Sequence, residues 1–142
     1  MATSTVPALK AALLTLLAAR PNLAGVQVVY GAPLPNPGRE FIALAGTEGE
    51  QQTAALGRLR REEEYRLTIY VSALREGLDQ QACTERAFAL VAEVEDAVRS
   101  DPSIGGVVRT ALVDGPFTLE EGATDAHRTA LVTISLLCTA RI

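Results

Sequence analysis

Two stretches of strict alternation constrain this chain more than any other feature. From residue 65, Tyr65, Leu67, Ile69 and Val71 alternate with Arg66, Thr68, Tyr70 and Ser72. Over residues 128–142, Ala130, Val132, Ile134, Leu136 and Cys138 alternate with Leu131, Thr133, Ser135, Leu137, Thr139 and Arg141. A period of two sends the two sets to opposite faces of a strand, so each stretch predicts a sheet with one buried face. Two stripes of helical period must cover that face. Val6, Leu9, Leu13, Leu16 and Leu17, with Leu14 on the flank, trace one over residues 6–20; Ser4 or Thr5 can cap it and Pro21 ends it. Cys83, Ala87, Leu90, Val91, Val94, Ala97 and Val98 trace the other over residues 79–100, stopped by Asp101-Pro102.

The remaining segments fill in the order. Residues 26–30 and 41–45 read as short strands, joined by a connector whose Pro33, Pro35 and Pro37 cannot sit in a central ladder. Gly105-Gly106 turns into a strand over residues 107–113, and residues 114–121 read as its irregular second half. The expectation is one α+β domain over residues 1–142, in the order αβββαββ. It has a mainly antiparallel sheet of about five strands, with both helices packed on one face. Between strands 2 and 3 the polar residues 46–64, with Gly49 and Gly57, predict a long β-arm projecting past the sheet.

Composition removes several functions. With 13 Lys+Arg against 17 Asp+Glu the formal net charge is −4, too acidic to displace counterions from duplex phosphates, so nucleic acid is not expected as a partner. No segment reaches the roughly 20 apolar residues of a membrane span, and no basic residue precedes the apolar amino-terminal stretch as a signal peptide requires. At 142 residues and 48% hydrophobic content, the chain can bury a core without a metal or disulfide staple. Cys83 and Cys138 lie far apart without CxxC spacing and are expected as free buried thiols. Two cysteines and the single His127 cannot build a closed tetrahedral metal site, and His127 sits in a polar run that reads as a turn. No phosphate cradle, catalytic triad or converging carboxylate pair is present. Neither catalytic residue, cofactor nor metal is therefore expected.

What remains is surface. Arg58, Arg60 and Arg61 followed by Glu62, Glu63 and Glu64 place opposite charges side by side on the arm, suited to contact with another copy. On the sheet face away from the helices, Tyr70, Leu131 and Leu137 are more apolar than solvent-facing positions require, which also marks an interface.

The layout resembles the tail terminator, or tail-completion, family of long-tailed bacteriophages, the lambda-type siphophage proteins among them. The carriers are the opening helix ALKAALLTLLAA, the segment GVQVVYGAPLP, the junction RREEEYRLTIYVS, the helix and turn ERAFALVAEVEDAVRSDPSIGGVV, and the closing strand ALVTISLLCTARI. The resemblance implies a structural virion subunit, assembled in the host cytoplasm, that forms a homo-hexameric ring at the head-proximal end of the tail. Such a ring caps the tail tube protein, ends polymerisation and offers a surface to the head-tail connector or neck protein. Its subunit contacts would correspond to residues 46–64 and the sheet face carrying Tyr70. Alternatives are another neck or adaptor ring, or a small-ligand-binding regulatory α+β module whose sheet face lines a pocket.

Overall fold

In the computed structural model, which describes residues 3–32, 40–55 and 60–142, the chain is an α+β fold with a six-stranded mixed sheet. Helix α1 spans Val6–Ala18 and a single 3₁₀ turn spans Pro21–Leu23. Strands β1 (Gln27–Val29), β2 (Glu40–Ala55) and β3 (Arg60–Glu76) follow, then α2 (Gln80–Ser100), β4 (Thr110–Val113), β5 (Thr118–Ala123) and β6 (His127–Arg141). The strands lie side by side as β1-β2-β3-β6-β4, with β5 also paired to β6. β1 pairs parallel to β2 and every other pair is antiparallel.

Each helix forms where its stripe requires. Leu9, Leu13 and Leu17 of α1 are buried, and Pro21 forces Arg20 into an extended conformation (ψ 125°) that ends the helix two residues earlier. On α2 the buried residues are the seven of the predicted stripe, Cys83 to Val98. Asp79 caps it by accepting a hydrogen bond from the Ala82 amide at 3.0 Å. Ile104, in the following turn, holds a left-handed φ of 47° while 1% exposed, strain that a β-branched residue accepts here to plug the core.

The two alternating stretches are direct neighbours. β3 pairs β6 from Glu62↔Arg141 to Glu76↔His127, bringing Leu67 opposite Leu136, Ile69 opposite Ile134 and Val71 opposite Val132. Both helices cover this face: one buried cluster joins Leu9, Leu13 and Leu17 of α1 and the α2 stripe to Ile42, Leu44 and the inward residues of β3 and β6. No described helix covers the other face.

Three expectations change. The sheet has six strands rather than about five and the order is αβββαβββ, because Asp114 to Phe117 interrupt the strand expected to be continuous. Its halves, β4 and β5, still run in line along the same side of β6, against Leu136–Thr139 and Arg128–Thr133. Residues 46–55 and 60–64 form the expected β-arm, but it continues β2 and β3 within the sheet, and β6 pairs with it as far as Glu62. A bulge between Leu44 and Thr47 explains why the continuation was hidden. Before it, even-numbered Ile42 and Leu44 face the helices; after it, odd-numbered Gly49 and Gln51 do, opposite Tyr65 and Glu63. The strand from residue 107 begins only at Thr110, because residues 102–109 are turns. The proline connector falls on residues 33–39, outside the described ones.

Cys83 and Cys138 are free and buried. Burial raises the thiol pKa of both, that of Cys138 to about 12, so neither should react with maleimide until the chain is unfolded; rapid labelling of the native protein would contradict this packing. The two sheet faces should also differ in unfolding experiments. Leu67→Ala, on the helix-covered side, should cost about 2–5 kcal/mol and Leu131→Ala about 1 kcal/mol or less in urea titrations.

Candidate functional site

The described charged residues of the expected site, Arg60 to Glu64, sit on the β2–β3 hairpin, and strand alternation separates them. Arg61 and Glu63 share a face with buried Tyr65 and Leu67, whereas Arg60, Glu62 and Glu64 lie on the helix-free face. The Arg–Glu block is therefore two half-blocks on opposite sides. Arg58 lies outside the described residues.

On the helix side, Glu63 is an internal clamp. It is 5% exposed and accepts the Thr5 amide at 3.0 Å, the Thr5 hydroxyl at 2.8 Å and Gln51 Nε2 at 2.9 Å, together with the Ser4 hydroxyl. Thr5 occupies the N-cap of α1 but its own side chain makes no cap bond. Glu63, 58 residues away, supplies that acceptor instead, and its charge complements the positive end of the helix dipole. Arg61 extends the clamp, donating to Gln51 Oε1 at 2.9 Å. Gly49 makes room for it. A Cβ there would collide with the Glu64 carbonyl and with the backbone and Cβ of Tyr65, whose hydroxyl lies 3.0 Å from that of Thr5.

On the helix-free face, Glu62 faces Arg141 across the ladder. It accepts Arg141 Nη2 at 2.6 Å and Nε at 2.8 Å, with Arg109 at 3.5 Å. The Arg141 hydrogen bond holds its carboxyl below the usual glutamate range, with the charges of Arg109 and Arg141 adding to it against desolvation. Glu64 stands directly opposite Glu50, with Glu48 one pair further along beside Arg66. Like charges facing across a ladder repel. Exposed Arg60 makes no ion pair with a described residue.

Tyr70, Leu131 and Leu137 all lie on this face and all are half-buried. They do not form one patch. Leu131 is diagonal to Tyr70, since Ser72 pairs Leu131 and Tyr70 pairs Thr133, whereas Leu137 lies opposite Arg66, beyond Thr133 and Ser135. Leu137 instead neighbours Leu112, which is 46% exposed.

The sequence reading missed a groove on the helix side. Phe88 of α2 and Phe117, just before β5, meet edge to face with centroids 6.4 Å apart and planes at 88°. Both are solvent-exposed, at 38% and 63%. Val91, Val113, Pro116 and Ile134 also line the groove, with Glu95 and Asp114 on its rim. Its outer wall is pinned by Arg66, which reaches Asp114 through the carbonyl at 2.8 Å and the carboxylate at 3.2 Å, and by Ser135, which donates to that carbonyl at 2.7 Å. Phe88 lies off the buried stripe of α2, and that was the only local signal. The pairing with Phe117 depends on the tertiary fold.

Other titratable groups are engaged locally. His127 shares a turn with Thr124, whose Oγ1 accepts the His127 amide at 3.0 Å and lies 3.4 Å from Nδ1. Thr84 donates to Glu121 at 2.7 Å. Among the described residues no helix is long and apolar enough to cross a membrane, and no group of His, Cys, Asp and Glu is placed to hold a metal ion.

No protein-family model matches the chain, and no curated protein matches it. Among solved structures, a chain in the virion of a native gene transfer agent particle has a similar fold. The TM-score is 0.62 at 16% identity, over 98% of this chain and 100% of that one. At that identity the likeness is one of fold.

The clamp yields a pH prediction. Burial raises the Glu63 pKa, but the hydrogen bonds from Ser4, Thr5 and Gln51 together outweigh it and hold the carboxyl below its ordinary value of 4.5. A depressed folded-state pKa stabilises the fold above the unfolded value, and this contribution disappears as pH falls through the folded one. Glu63→Ala should lose about 1–2 kcal/mol at neutral pH, as for loss of a helix cap. Glu63→Gln should flatten the stability profile below pH 4.5. A profile of the same steepness in the Gln variant would remove Glu63 as its source.

Proposed function

We propose that this chain is a structural virion protein: a one-domain subunit that closes with copies of itself into a ring, hexameric in the finer reading, and caps the tail tube of a phage-like particle. The observation that carries the proposal is the full-length likeness of fold to a chain of a virion particle. The surfaces support it. β2 beyond the three residues paired with β1 presents an outer edge with no described strand beside it. β4 and β5 present the opposite edge. Two unlike edges on one subunit are suited to head-to-tail contact, which closes into a ring when the rotation divides a circle.

The mechanism is geometric. A ring with one tube-like face adds once to a growing tube, and its different second face stops further addition and receives the head-tail connector or neck protein. No bond is made or broken, so the work falls to shape, hydrogen bonding at the edges and the charges of the hairpin. Arg60, Arg61, Glu62 and Glu64, with Arg58 of the connection, are the proposed interface residues. Tyr70, Leu131 and Leu137 offer apolar area on the helix-free face. Glu63 contributes by holding the hairpin against α1. In this reading the subunit works in the virion, at the head-proximal end of the tail, without a cofactor.

Light scattering coupled to size exclusion provides the first test. A terminator should form discrete, concentration-dependent rings, and adding it to polymerising tube protein should shorten the tubes seen by electron microscopy. Rings that leave tube length unchanged would favour a different neck or adaptor ring. A lone subunit that a metabolite stabilises against heat would favour the ligand-binding alternative. Reversing Arg58, Arg60 and Arg61 to Glu should weaken ring formation, and reversing exposed Arg60 alone should do so with the melting temperature within a few degrees, because exposed charges contribute little to folding; unchanged assembly would discount those residues.

A further inference from the structure

No described residue fills the groove between α2 and the β4–β5 connection, and its two aromatic walls stay exposed. Phe88 and Phe117 are two of the five large hydrophobic side chains exposed among the described residues, and they meet each other at this groove. Aromatic side chains left in water beside a preformed cleft mark a place where another surface anchors.

The chain carries a segment of matching chemistry. Residues 56–59, which join β2 to β3, read Leu-Gly-Arg-Leu and are followed by Arg60 and Arg61. Two leucines suit a cleft walled by Phe88 and Phe117 and floored by Val91, Val113 and Ile134. The arginines suit its rim, where among the described residues Glu95 pairs with Arg99 at 3.3 Å and Asp114 with Arg66 at 3.2 Å. These pairs engage one oxygen of each carboxylate, Glu95 Oε2 and Asp114 Oδ2, and a carboxylate has acceptor capacity for a second cation.

A subunit cannot supply this segment to its own groove. β3 and β6 remain paired to their ends, where Arg61 and Ile142 exchange backbone hydrogen bonds of 3.0 and 2.9 Å. Arg60, the first residue of β3, therefore lies beyond the far end of β6. The groove sits at Ile134 and Ser135. At about 3.3 Å per residue, the run of β6 from Ser135 to Arg141 separates the two by about 20 Å, and the paired hairpin cannot fold back over that distance.

From these observations we infer that the Phe88–Phe117 groove receives the β2–β3 hairpin end of a second copy of this chain, residues 56–59 entering the cleft and the flanking arginines reaching Glu95 and Asp114. The contact joins two different surfaces, so it propagates from copy to copy. This rests on the ring reading above and identifies the surface that the hairpin meets.

The full-length protein tests it. A Leu59→Cys preparation is mixed with a Phe117→Cys preparation at a concentration where scattering shows assembly, and treated with a short bismaleimide. A cross-linked dimer of the two variants should dominate on a denaturing gel, with little product when Leu59→Cys is mixed with Thr15→Cys on the exposed side of α1. The parent chain, whose thiols are buried, should give none. Separately, Phe117→Asp should raise the concentration needed for assembly by at least about tenfold, the effect of losing an anchoring aromatic. Phe117→Leu should assemble normally, and both should melt near the parent temperature. Rings that form without the Leu59–Phe117 product, or that form equally well with Phe117→Asp, overturn this inference and leave the ring reading standing. Absence of any assembly overturns both.

Discussion

The register between β3 and β6 is the constraint on which the rest of the structure depends. From Glu62↔Arg141 to Glu76↔His127 the two strands run together without a bulge, so on the helix-covered face Tyr65, Leu67, Ile69, Val71 and Ala73 meet Cys138, Leu136, Ile134, Val132 and Ala130. A slip by a single residue would turn Leu67, Ile69 and Val71 to water and leave α1 and α2 nothing to cover. The same ladder reaches far enough to support the base of the hairpin, and its far end ties Glu62 to Arg141. What the sequence suggested was a free arm is for most of its length the continuation of a central strand.

That continuation couples the hairpin to the amino-terminal helix. Glu63 sits at a position that alternation directs inward, where a charge is costly to bury alone. The half-buried helix-start groups of Ser4 and Thr5 donate to it, and Gln51 from β2 completes the set. Each side satisfies the other, because a carboxylate lacks donors and a helix start lacks acceptors. The result is a hairpin whose described strands are oriented by the body of the protein. A preoriented projection loses less entropy on meeting a partner than a free loop would.

In the proposed reading the work falls to the perimeter of the subunit. The buried face is closed by two helices, the thiols are locked away, and His127 is part of a turn. The features left over are two unlike sheet edges, a hairpin bearing arginine, an aromatic groove and a carboxylate pair, Glu50 and Glu64, that face each other across a ladder. All have in common that they are incomplete in the single chain. Incompleteness on unlike surfaces is what a subunit that adds head to tail requires.

Periodicity by itself determined the buried faces: Leu9, Leu13 and Leu17 on α1, the Cys83-to-Val98 stripe on α2, and the inward residues of β3 and β6 were all legible, because period and burial share one cause. The helix limits were legible too, since Pro21 and Asp79 act on their immediate neighbours. Only the tertiary structure decided the rest. The bulge after Leu44 broke the alternation that would have revealed the second half of β2. The role of Glu63 depends on a helix start 58 residues away, and nothing local distinguishes it from Glu62 and Glu64, which remain half-buried or exposed. Phe88 and Phe117 meet only because α2 crosses the β4–β5 connection. Local patterns record which side of an element is buried, whereas which groups satisfy or meet one another across the chain is settled by how the elements pack.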